Sequence, residues 1–313
     1  MMVPKLSIVV PCYNEEEVLP ETIRQLSELI TKMIGKQLVS DESCMLLVDD
    51  GSGDGTWALI EANAKSSSLV SGVKLSRNRG HQNALLAGLT VADGDVVVSI
   101  DADLQDDISV IEEMVERHRG GFDVVYGVRG NRESDSFSKR FSAEVFYRLL
   151  SFMGVETVFN HADYRLLSRR ALEALKSHDE VNLYLRGVVP TIGFKSCEVP
   201  YDRKERFAGE SKYPLSKMLA LAFDGITSFS AVPLRIIGGL GILIFFISMA
   251  ISAWALYISL FTDKAIPGWA SSVLPMYVLG GIQLLSLGVV GEYVAKVYME
   301  TKRRPRFFIE EIL

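Results

Sequence analysis

Acidic and polar side chains follow three short apolar runs in the first third of this sequence. The three segments are residues 12–15 (CYNE), 49–52 (DDGS) and 101–105 (DADLQ). Buried parallel strands read as continuous apolar runs, and α/β sheets bind ligands beyond the carboxyl ends of such strands. We therefore expect the three segments to meet at one end of a sheet and to form a binding site there.

Asp101 and Asp103 are the most informative residues of the third segment. Side chains two residues apart in an extended chain point to the same face, so the two carboxylates should converge. Carboxylates at the end of a dry sheet cost stability unless a cation or hydrogen-bond donors compensate them. The pair therefore predicts a site for a divalent cation, and such a cation could bind a diphosphate.

The first and second segments each allow two interpretations. Asn14 and Glu15 could cap a following helix and match its dipole, whereas the ring of Tyr13 could lie along a nucleobase. Asp50 could accept a hydrogen bond from a base or ribose, or it could belong to a glycine-rich turn. The second segment lacks the lysine of a P-loop and the G-x-G-x-x-G spacing, which disfavours a Walker-type ATPase.

Cationic side chains recur further along the chain and suit phosphate recognition. Arginine binds phosphate oxygens through its forked donor geometry, and cations near a membrane attract anionic headgroups. The cationic residues in question are Arg77, Arg79, His81, Arg129, Arg132, Lys139, Arg140, Arg203, Lys204, Arg206 and Lys212. Asp163 and Arg165 predict either a structural ion pair or a substrate contact.

Length and composition exclude some classes of protein. The chain has 313 residues, a net charge of −6 and an isoelectric point near 5.4. Its sequence shows neither a pervasive basic character nor zinc-ligand spacing, so nucleic acid is not an expected partner. The three cysteines are odd in number and widely spaced, which is typical of reduced cysteines in a cytosolic compartment.

Strand and helix patterns alternate through the first two thirds of the sequence. This alternation predicts an α/β fold with a mostly parallel sheet and right-handed crossovers. The expected strands are 6–10, 45–48, 73–75, 95–100, 124–126 and 164–167, and the expected helices are 15–34, 56–65, 82–91, 108–119 and 138–152. Residues 202–213 are polar and charged, which indicates a loop.

Two uncharged stretches, 236–262 and 265–291, contain 27 residues each. At about 1.5 Å per helical residue, each could cross a hydrocarbon core of roughly 30 Å, so the stretches predict a two-helix transmembrane hairpin. Lysine and arginine flank the pair on both outer sides, which predicts that both ends of the chain are cytoplasmic. Residues 215–229 are apolar on one face and predict an amphipathic helix at the membrane surface.

These patterns divide the chain into four parts. We expect an α/β domain over 1–210, an amphipathic membrane-surface segment over 211–232, two transmembrane helices over 233–298 and a basic cytoplasmic tail over 299–313. Glycines in the two uncharged stretches suit close helix packing, which would allow association into a homo-oligomer.

Taken together, these segments resemble the family 2 glycosyltransferases, whose GT-A fold is a Rossmann-like α/β domain. More narrowly, they are similar to the polyprenyl-phosphate glycosyltransferases, which include dolichol-phosphate mannose synthases and bacterial bactoprenol glucosyltransferases. The resemblance covers the whole chain and is carried by residues 8–15, 48–56, 77–88, 101–107, 127–140 and 209–213. Asp107 departs from the pattern, because relatives often have proline there, and this departure concerns the shape of the loop.

The resemblance implies a role for each matching residue. Nucleotide binding is implied for Pro11, Tyr13, Glu15, Asp50, Asp101 and Ala102, and binding of Mg²⁺ or Mn²⁺ for Asp101, Asp103 and Gln105. Direct participation in sugar transfer is implied for Asp103, Arg129 and Arg203, and contact with the acceptor phosphate for Arg132, Ser136, Arg140 and Lys212.

The implied reaction transfers a sugar from a nucleotide sugar to a polyprenyl phosphate, such as undecaprenyl phosphate, with inversion. UDP-glucose is the first expectation for the donor, the inner membrane's cytoplasmic face is the expected location, and mannose or an aminosugar are the alternatives. A non-catalytic membrane scaffold or lipid flippase is the alternative from another class, and it would leave the acidic segment unexplained. A processive polysaccharide synthase is disfavoured because no Q-x-x-R-W segment is present. A glycosidase is disfavoured because its two carboxylates would have to face each other across a sugar.

Overall fold

The computed structural model describes residues 3–130, 161–178, 185–202, 232–261 and 269–313. The described strands form one eight-stranded sheet. In chain order they are β1 (Leu6–Cys12), β2 (Cys44–Asp49), β3 (Val70–Leu75), β4 (Val96–Ser99), β5 (Val124–Arg129), β6 (His161–Ser168), β7 (Ser196–Tyr201) and β8 (Ile309–Ile312).

The strand order across the sheet is β7-β5-β6-β4-β1-β2-β3-β8. β1 pairs in parallel with β2 and β4, β2 pairs in parallel with β3, and β5 pairs in parallel with β7. β6 runs antiparallel between β4 and β5, and β8 runs antiparallel beside β3. The sheet is therefore mostly parallel, and the predicted Rossmann-like α/β class is confirmed.

Apolar runs explain why the central strands form. β1 and β4 are buried along their whole length, and β2 is buried from its second residue onward. A strand that is covered on both faces needs apolar side chains at successive positions rather than at alternate ones. The pairing places the carboxyl ends of β1, β2 and β4 together, next to the amino end of antiparallel β6. This end of the sheet carries the segments 12–15, 49–52 and 101–105.

Helices cover both faces of the sheet. The described helices are α1 (Leu19–Gly35), α2 (Thr56–Ser66), α3 (His81–Val91), α4 (Val110–Arg119), α5 (Arg169–Lys176), α6 (Leu185–Thr191), α7 (Val232–Phe261) and α8 (Trp269–Lys302). Ile8 and Val10 of β1 belong to a buried cluster with α1 and α4, whereas Val9 belongs to a second cluster with α3, α5 and α6. This alternation follows the two-residue period of a strand and gives a layered α/β/α domain.

Most of the predicted strands and helices are present, with shifted ends. α1 begins at Leu19 rather than at residue 15, and in the turn that precedes it the carbonyl of Glu15 accepts hydrogen bonds from Val18 and Leu19. The sequence analysis did not predict α5, α6, β7 or β8, all of which are short elements with little room for a periodic pattern. The predicted helices over 138–152 and 215–229 lie outside the described residues.

Two long helices, α7 and α8, coincide with the region in which the sequence predicts a transmembrane hairpin. Among the helices in the described part of the chain, none combines the length and the apolar content that crossing a membrane requires. The structure therefore does not confirm the transmembrane hairpin, which stays a prediction from the sequence.

The last residues of the chain add a strand to the sheet. β8 begins seven positions after the end of α8 and pairs with β3, with Ile309 opposite Leu75. Just before β8, Arg306 Nη2 donates a hydrogen bond of 2.8 Å to the carbonyl oxygen of His178. The sequence indicated only a basic tail over 299–313, whereas the structure assigns 299–302 to α8 and adds β8 to one edge of the sheet.

Candidate functional site

The loops that follow β1 and β2 are joined by hydrogen bonds. Asn14 N–H donates to Ser52 Oγ at 3.0 Å, and Asn14 Oδ1 accepts from the backbone N–H of Gly53 at 2.8 Å. Asn14 has a left-handed backbone with φ of 53°, a conformation in which asparagine is several-fold enriched among non-glycine residues. Asn14 therefore bridges the two loops instead of capping α1, which follows Val18 without a side-chain cap.

The residues beside Asn14 lie at the same end of the sheet. Pro11 is buried within β1, whereas Tyr13 is 48% exposed and could meet a ligand with its ring. Glu15 N–H donates to Thr56 Oγ1 at 2.9 Å, which ties this loop to the start of α2. Nucleotide binding by Pro11, Tyr13 and Glu15 stays a prediction, and their position at or just beyond the carboxyl end of a parallel strand is suitable for it.

Asp50 joins the loop after β2 to the turn before α3. Its two carboxylate oxygens accept hydrogen bonds from the backbone N–H groups of Arg79 at 2.7 Å and Gly80 at 2.9 Å. Burial raises the pKa of Asp50, and the two amide donors oppose that effect. Gly51, with φ of 68°, permits the close approach, because a Cβ there would lie 2.6 Å from the backbone of Arg77. Asp50 therefore has a structural role, and its contact with a base or ribose stays a prediction.

Asp101 follows β4 and carries an incompletely compensated negative charge. Its Oδ1 atom is buried and has no hydrogen-bond partner among the described residues, although His81 Nε2 lies 3.5 Å away. Burial, together with the carboxylates of Asp163, Asp106 and Asp103, raises the pKa of Asp101 to about 6, and His81 opposes the shift. A buried carboxylate oxygen among other acids is a favourable position for a cation.

Asp163 and Arg165 form a buried ion pair, as one of the two sequence interpretations predicted. Arg165 Nη2 donates to Asp163 Oδ1, and Arg186 donates to the two Asp163 oxygens at 3.3 and 3.1 Å. Burial alone would raise the pKa of Asp163, but His81, Arg186 and Arg165 together hold it well below its usual range. The sequence analysis did not single out Arg186, which lies 23 positions from Asp163.

The loop after β4, residues 100–107, is held at its start by a hydrogen bond from α1 and has a strained backbone at Leu104. Thr22 Oγ1 donates to the carbonyl of Ala102 at 2.8 Å, and Gln105 N–H donates to Asp103 Oδ1 at 3.2 Å. Leu104 has φ of 55°, a backbone conformation that is rare and strained for a bulky residue. Ala102 and Gln105 are buried, whereas Asp103 is partly exposed.

The residues present fit a cation that binds together with a substrate. Across the described ranges, no three His, Cys, Asp or Glu side chains are grouped so that they could hold a metal ion. Mg²⁺ often uses only one or two protein carboxylates and takes its other ligands from substrate phosphates and water. The unpartnered Oδ1 of Asp101 and the nearby carboxylate of Asp103 match that pattern.

Arg129, at the end of β5, lies beside a buried tyrosine and a buried acid. Its Nε donates to Tyr201 Oη at 3.4 Å, and Tyr201 Oη donates to Asp106 Oδ1 at 2.5 Å. Asp106 and Tyr201 are 95 positions apart, so no local pattern could have indicated their contact. The predicted phosphate-binding and catalytic residues that follow Arg129 in the chain lie outside its described part: Arg132, Ser136, Lys139, Arg140, Arg203, Lys204, Arg206 and Lys212.

Several known proteins are similar to this chain. The family model described as Glycosyl transferase family 2 matches residues 7–176. The Bacillus subtilis (strain 168) protein named uncharacterized glycosyltransferase YkoT is 50% identical over 309 residues, which cover 98% of this chain and 91% of that protein. The Escherichia coli (strain K12) prophage bactoprenol glucosyl transferase homolog is 38% identical over 314 residues, which cover 98% of this chain and 99% of that protein. The solved structure of a Pyrobaculum calidifontis mannosyltransferase, in complex with GDP-Man and Mn²⁺, matches with a TM-score of 0.48 at 18% identity, covering 95% of this chain and 85% of that chain.

Proposed function

The chain belongs to glycosyltransferase family 2 and is a glycosyltransferase, and we propose that it transfers glucose from UDP-glucose to a polyprenyl phosphate. Relatives named bactoprenol glucosyl transferase, at 38–39% identity over nearly the whole chain, support the lipid acceptor and the sugar. Mannose or an aminosugar is the alternative within the same reaction class.

The observation that carries the proposal is the buried, unpartnered Oδ1 of Asp101 at the carboxyl end of the parallel strands. Asp103, Asp106 and Asp163 add negative charge around it, and this charge is suited to a cation rather than to a neutral sugar. Mg²⁺ or Mn²⁺, bound by Asp101, Asp103 and Gln105, would neutralise the leaving diphosphate.

The acceptor makes a catalytic base unnecessary. A phosphate monoester has a second pKa of about 6, so the polyprenyl phosphate is already largely anionic at pH 7. One of its oxygens attacks the anomeric carbon while the bond to the nucleoside diphosphate breaks, and the electron pair leaves with the diphosphate. A single in-line displacement of this kind inverts the anomeric configuration. The protein's own contribution is to orient both phosphate groups, and Arg129 is suited to this because it binds phosphate oxygens through a fork of donors.

We place the reaction at the cytoplasmic face of the inner membrane. The acceptor is a membrane lipid, and the sequence carries two uncharged stretches of 27 residues, 236–262 and 265–291, with lysine and arginine on their outer flanks. Self-association of the chain through these glycine-bearing stretches is part of the same proposal.

The proposal is tested with purified protein, undecaprenyl phosphate and a panel of labelled nucleotide sugars. We expect label from UDP-glucose to enter the lipid fraction, to disappear when EDTA removes divalent cations, and to return when Mg²⁺ or Mn²⁺ is added. If no nucleotide sugar yields a glycolipid in the presence of either metal, the non-catalytic scaffold or flippase is favoured instead.

Asp103→Asn should abolish transfer while leaving the protein folded, because it removes a charge that the cation requires and preserves the side-chain volume. We expect activity to fall by at least about 100-fold, a loss of the size seen when one electrostatic contact to the transition state is removed. Asp41→Asn, at an exposed position before the amino end of β2, is the matched control and should retain activity. Full activity of purified Asp103→Asn would refute the site.

A further inference from the structure

We propose that Tyr201 is a positioning residue for sugar transfer, which fixes the guanidinium of Arg129 relative to the loop after β4. The inference rests on the function proposed above and concerns how the site is organised rather than which sugar is transferred. It depends on contacts among side chains that come from three separate segments of the chain.

Tyr201 lies between a buried acid and a partly exposed arginine. Its Oη donates to Asp106 Oδ1 at 2.5 Å and accepts from Arg129 Nε at 3.4 Å. Arg129 Nη2 itself lies 3.8 Å from the same oxygen of Asp106. Because 3.8 Å is too long for a direct hydrogen bond, the tyrosine hydroxyl provides the hydrogen-bonded link between these two charged groups.

Because Tyr201 and Asp106 are buried, their hydrogen bonds are well suited to fixing the position of the Arg129 guanidinium. Asp106 and Tyr201 are 3% and 4% exposed, whereas the side chain of Arg129 is 29% exposed. Hydrogen bonds in a low-dielectric interior are electrostatically stronger than in water. Arg129 Nε donates its hydrogen bond to Tyr201, and the N–H groups on the exposed part of the guanidinium can donate to a phosphate oxygen.

A second tyrosine supports the first. Tyr164 of β6 packs edge-on against Tyr201, with ring centroids 5.4 Å apart and an interplanar angle of 79°. Its Oη donates to the carbonyl of Asp107 at 2.9 Å. Gly127 makes room for this ring, because a Cβ there would lie 2.8 Å from Tyr164 Cδ1. The two tyrosines therefore bind the same loop, one through the Asp106 side chain and the other through the Asp107 backbone.

The loop that the two tyrosines bind also carries Asp101 and Asp103. Leu104, directly after Asp103, has a strained φ of 55°, and strained conformations persist only where surrounding contacts over-determine them. Loss of the Tyr201 hydroxyl would deprive the buried carboxylate of Asp106 of this donor and would release Arg129 Nε. Displacements of about 1 Å near reacting groups can cost roughly 100-fold in rate.

Tyr201→Phe removes only the hydroxyl and keeps the ring that packs against Tyr164. We expect kcat for transfer to polyprenyl phosphate to fall by about 10-fold to 100-fold, with little change in KM for the nucleotide sugar. Tyr298→Phe changes an exposed tyrosine of α8 in the same way and should retain the wild-type kinetics. Thermal unfolding of each purified full-length protein reports whether the variant is folded.

A double-mutant cycle separates positioning through Arg129 from general structural support. If Tyr201 acts through Arg129, Tyr201→Phe should cost less than about 3-fold further in an Arg129→Lys background, because coupled residues are non-additive. Arg129→Lys alone should lower kcat and leave KM for the nucleotide sugar unchanged. This variant tests the role of the Arg129 guanidinium even if Tyr201→Phe folds poorly.

Three results would overturn the inference. These are wild-type kcat in folded Tyr201→Phe, wild-type kcat in Arg129→Lys, and fully additive losses in the double variant. A wild-type protein that transfers no sugar would instead overturn the proposed function together with this inference, and that failure is visible before any variant is compared.

Discussion

Asp101 occupies surroundings that disfavour its negative charge. Burial and neighbouring acids raise its pKa to about 6, well above its ordinary value near 3.8. A carboxyl group whose pKa is higher in the folded than in the unfolded protein stabilises the fold while it is protonated. That contribution is complete below about pH 4 and is lost as the pH rises through 6. Without a cation, Asp101 therefore lowers stability at neutral pH.

Asp101→Asn should raise the free energy of unfolding at pH 7, measured without divalent cations, by about 1 kcal/mol. Each pKa unit corresponds to about 1.4 kcal/mol, so the rise from 3.8 to about 6 would correspond to about 3 kcal/mol. We expect a smaller effect because the Asp101 side chain is 36% exposed and solvent screens its charge. Thermal unfolding at pH 5 and pH 7 measures the change, which should be larger at pH 7. A loss of stability at pH 7, with Asp41→Asn unchanged, would mean that other groups already compensate the Asp101 charge.

β8 shows how an element far along the chain completes the sheet. Without it, β3 would be an edge strand with a row of unpaired N–H and C=O groups. Phe307 and Ile309 also pack against the buried cluster that β1 shares with α3, α5 and α6. Lys74 Nζ adds an ion pair of 3.2 Å with Glu310 across the two strands. The strand therefore stabilises the α/β domain through both backbone pairing and apolar packing.

Ile309→Ala should lower the free energy of unfolding by about 1–2 kcal/mol, because it removes partly buried methyl groups from that cluster. Ile312→Ala, in the same strand at a position that is 55% exposed, is the matched control and should stay within about 0.5 kcal/mol of the wild type. Thermal or denaturant unfolding of both variants measures the difference. Equal effects of the two substitutions would contradict the packing role assigned to Ile309.

At the scale of the whole molecule, the α/β domain is connected closely to the end of α8. The six residues between α8 and β8 can span at most roughly 20 Å. The hydrogen bond from Arg306 to the carbonyl of His178 also ties this connection to the end of α5. A short connection of this kind keeps the α/β domain close to the end of α8, which is consistent with the lipid acceptor proposed above.

The transmembrane hairpin predicted from the sequence has a direct test. The full-length protein should sediment with membranes and resist extraction by high salt and by alkaline carbonate. A variant with Leu243→Lys and Phe246→Lys, two exposed positions of α7, should be extracted much more readily, because charges in a hydrocarbon core cost roughly 2.5–3.5 kcal/mol each. A matched variant with Ala62→Lys and Ser68→Lys, two exposed positions of the α/β domain, should behave like the wild type. Release of the wild type by carbonate would contradict the hairpin.

The sequence by itself determined the α/β class and the position of the acidic segments. Local sequence is enough to infer both, because buried strands appear as apolar runs. The residues that follow such a run, for example Asp101 and Asp103, then lie at the carboxyl end of the strand. The two interpretations of Asn14 and of the Asp163–Arg165 pair could not be separated in this way. Whether a polar side chain bonds to a helix end, a neighbouring loop or a ligand depends on which segments lie beside it.

Only the tertiary structure decided the contacts between distant segments. Tyr201 contacts Asp106 from 95 positions away, and Lys74 of β3 contacts Glu310 of β8 from 236 positions away. Short strands such as β7 and β8 carry too few residues for a periodic signal, so their pairing depends on the sheet edge that the rest of the fold presents. The sequence therefore determined which functional side chains lie at the carboxyl end of the sheet, whereas the tertiary structure decided which other side chains hold them in position. These contacts depend on strand register and on how distant segments pack together, and no local sequence pattern encodes either.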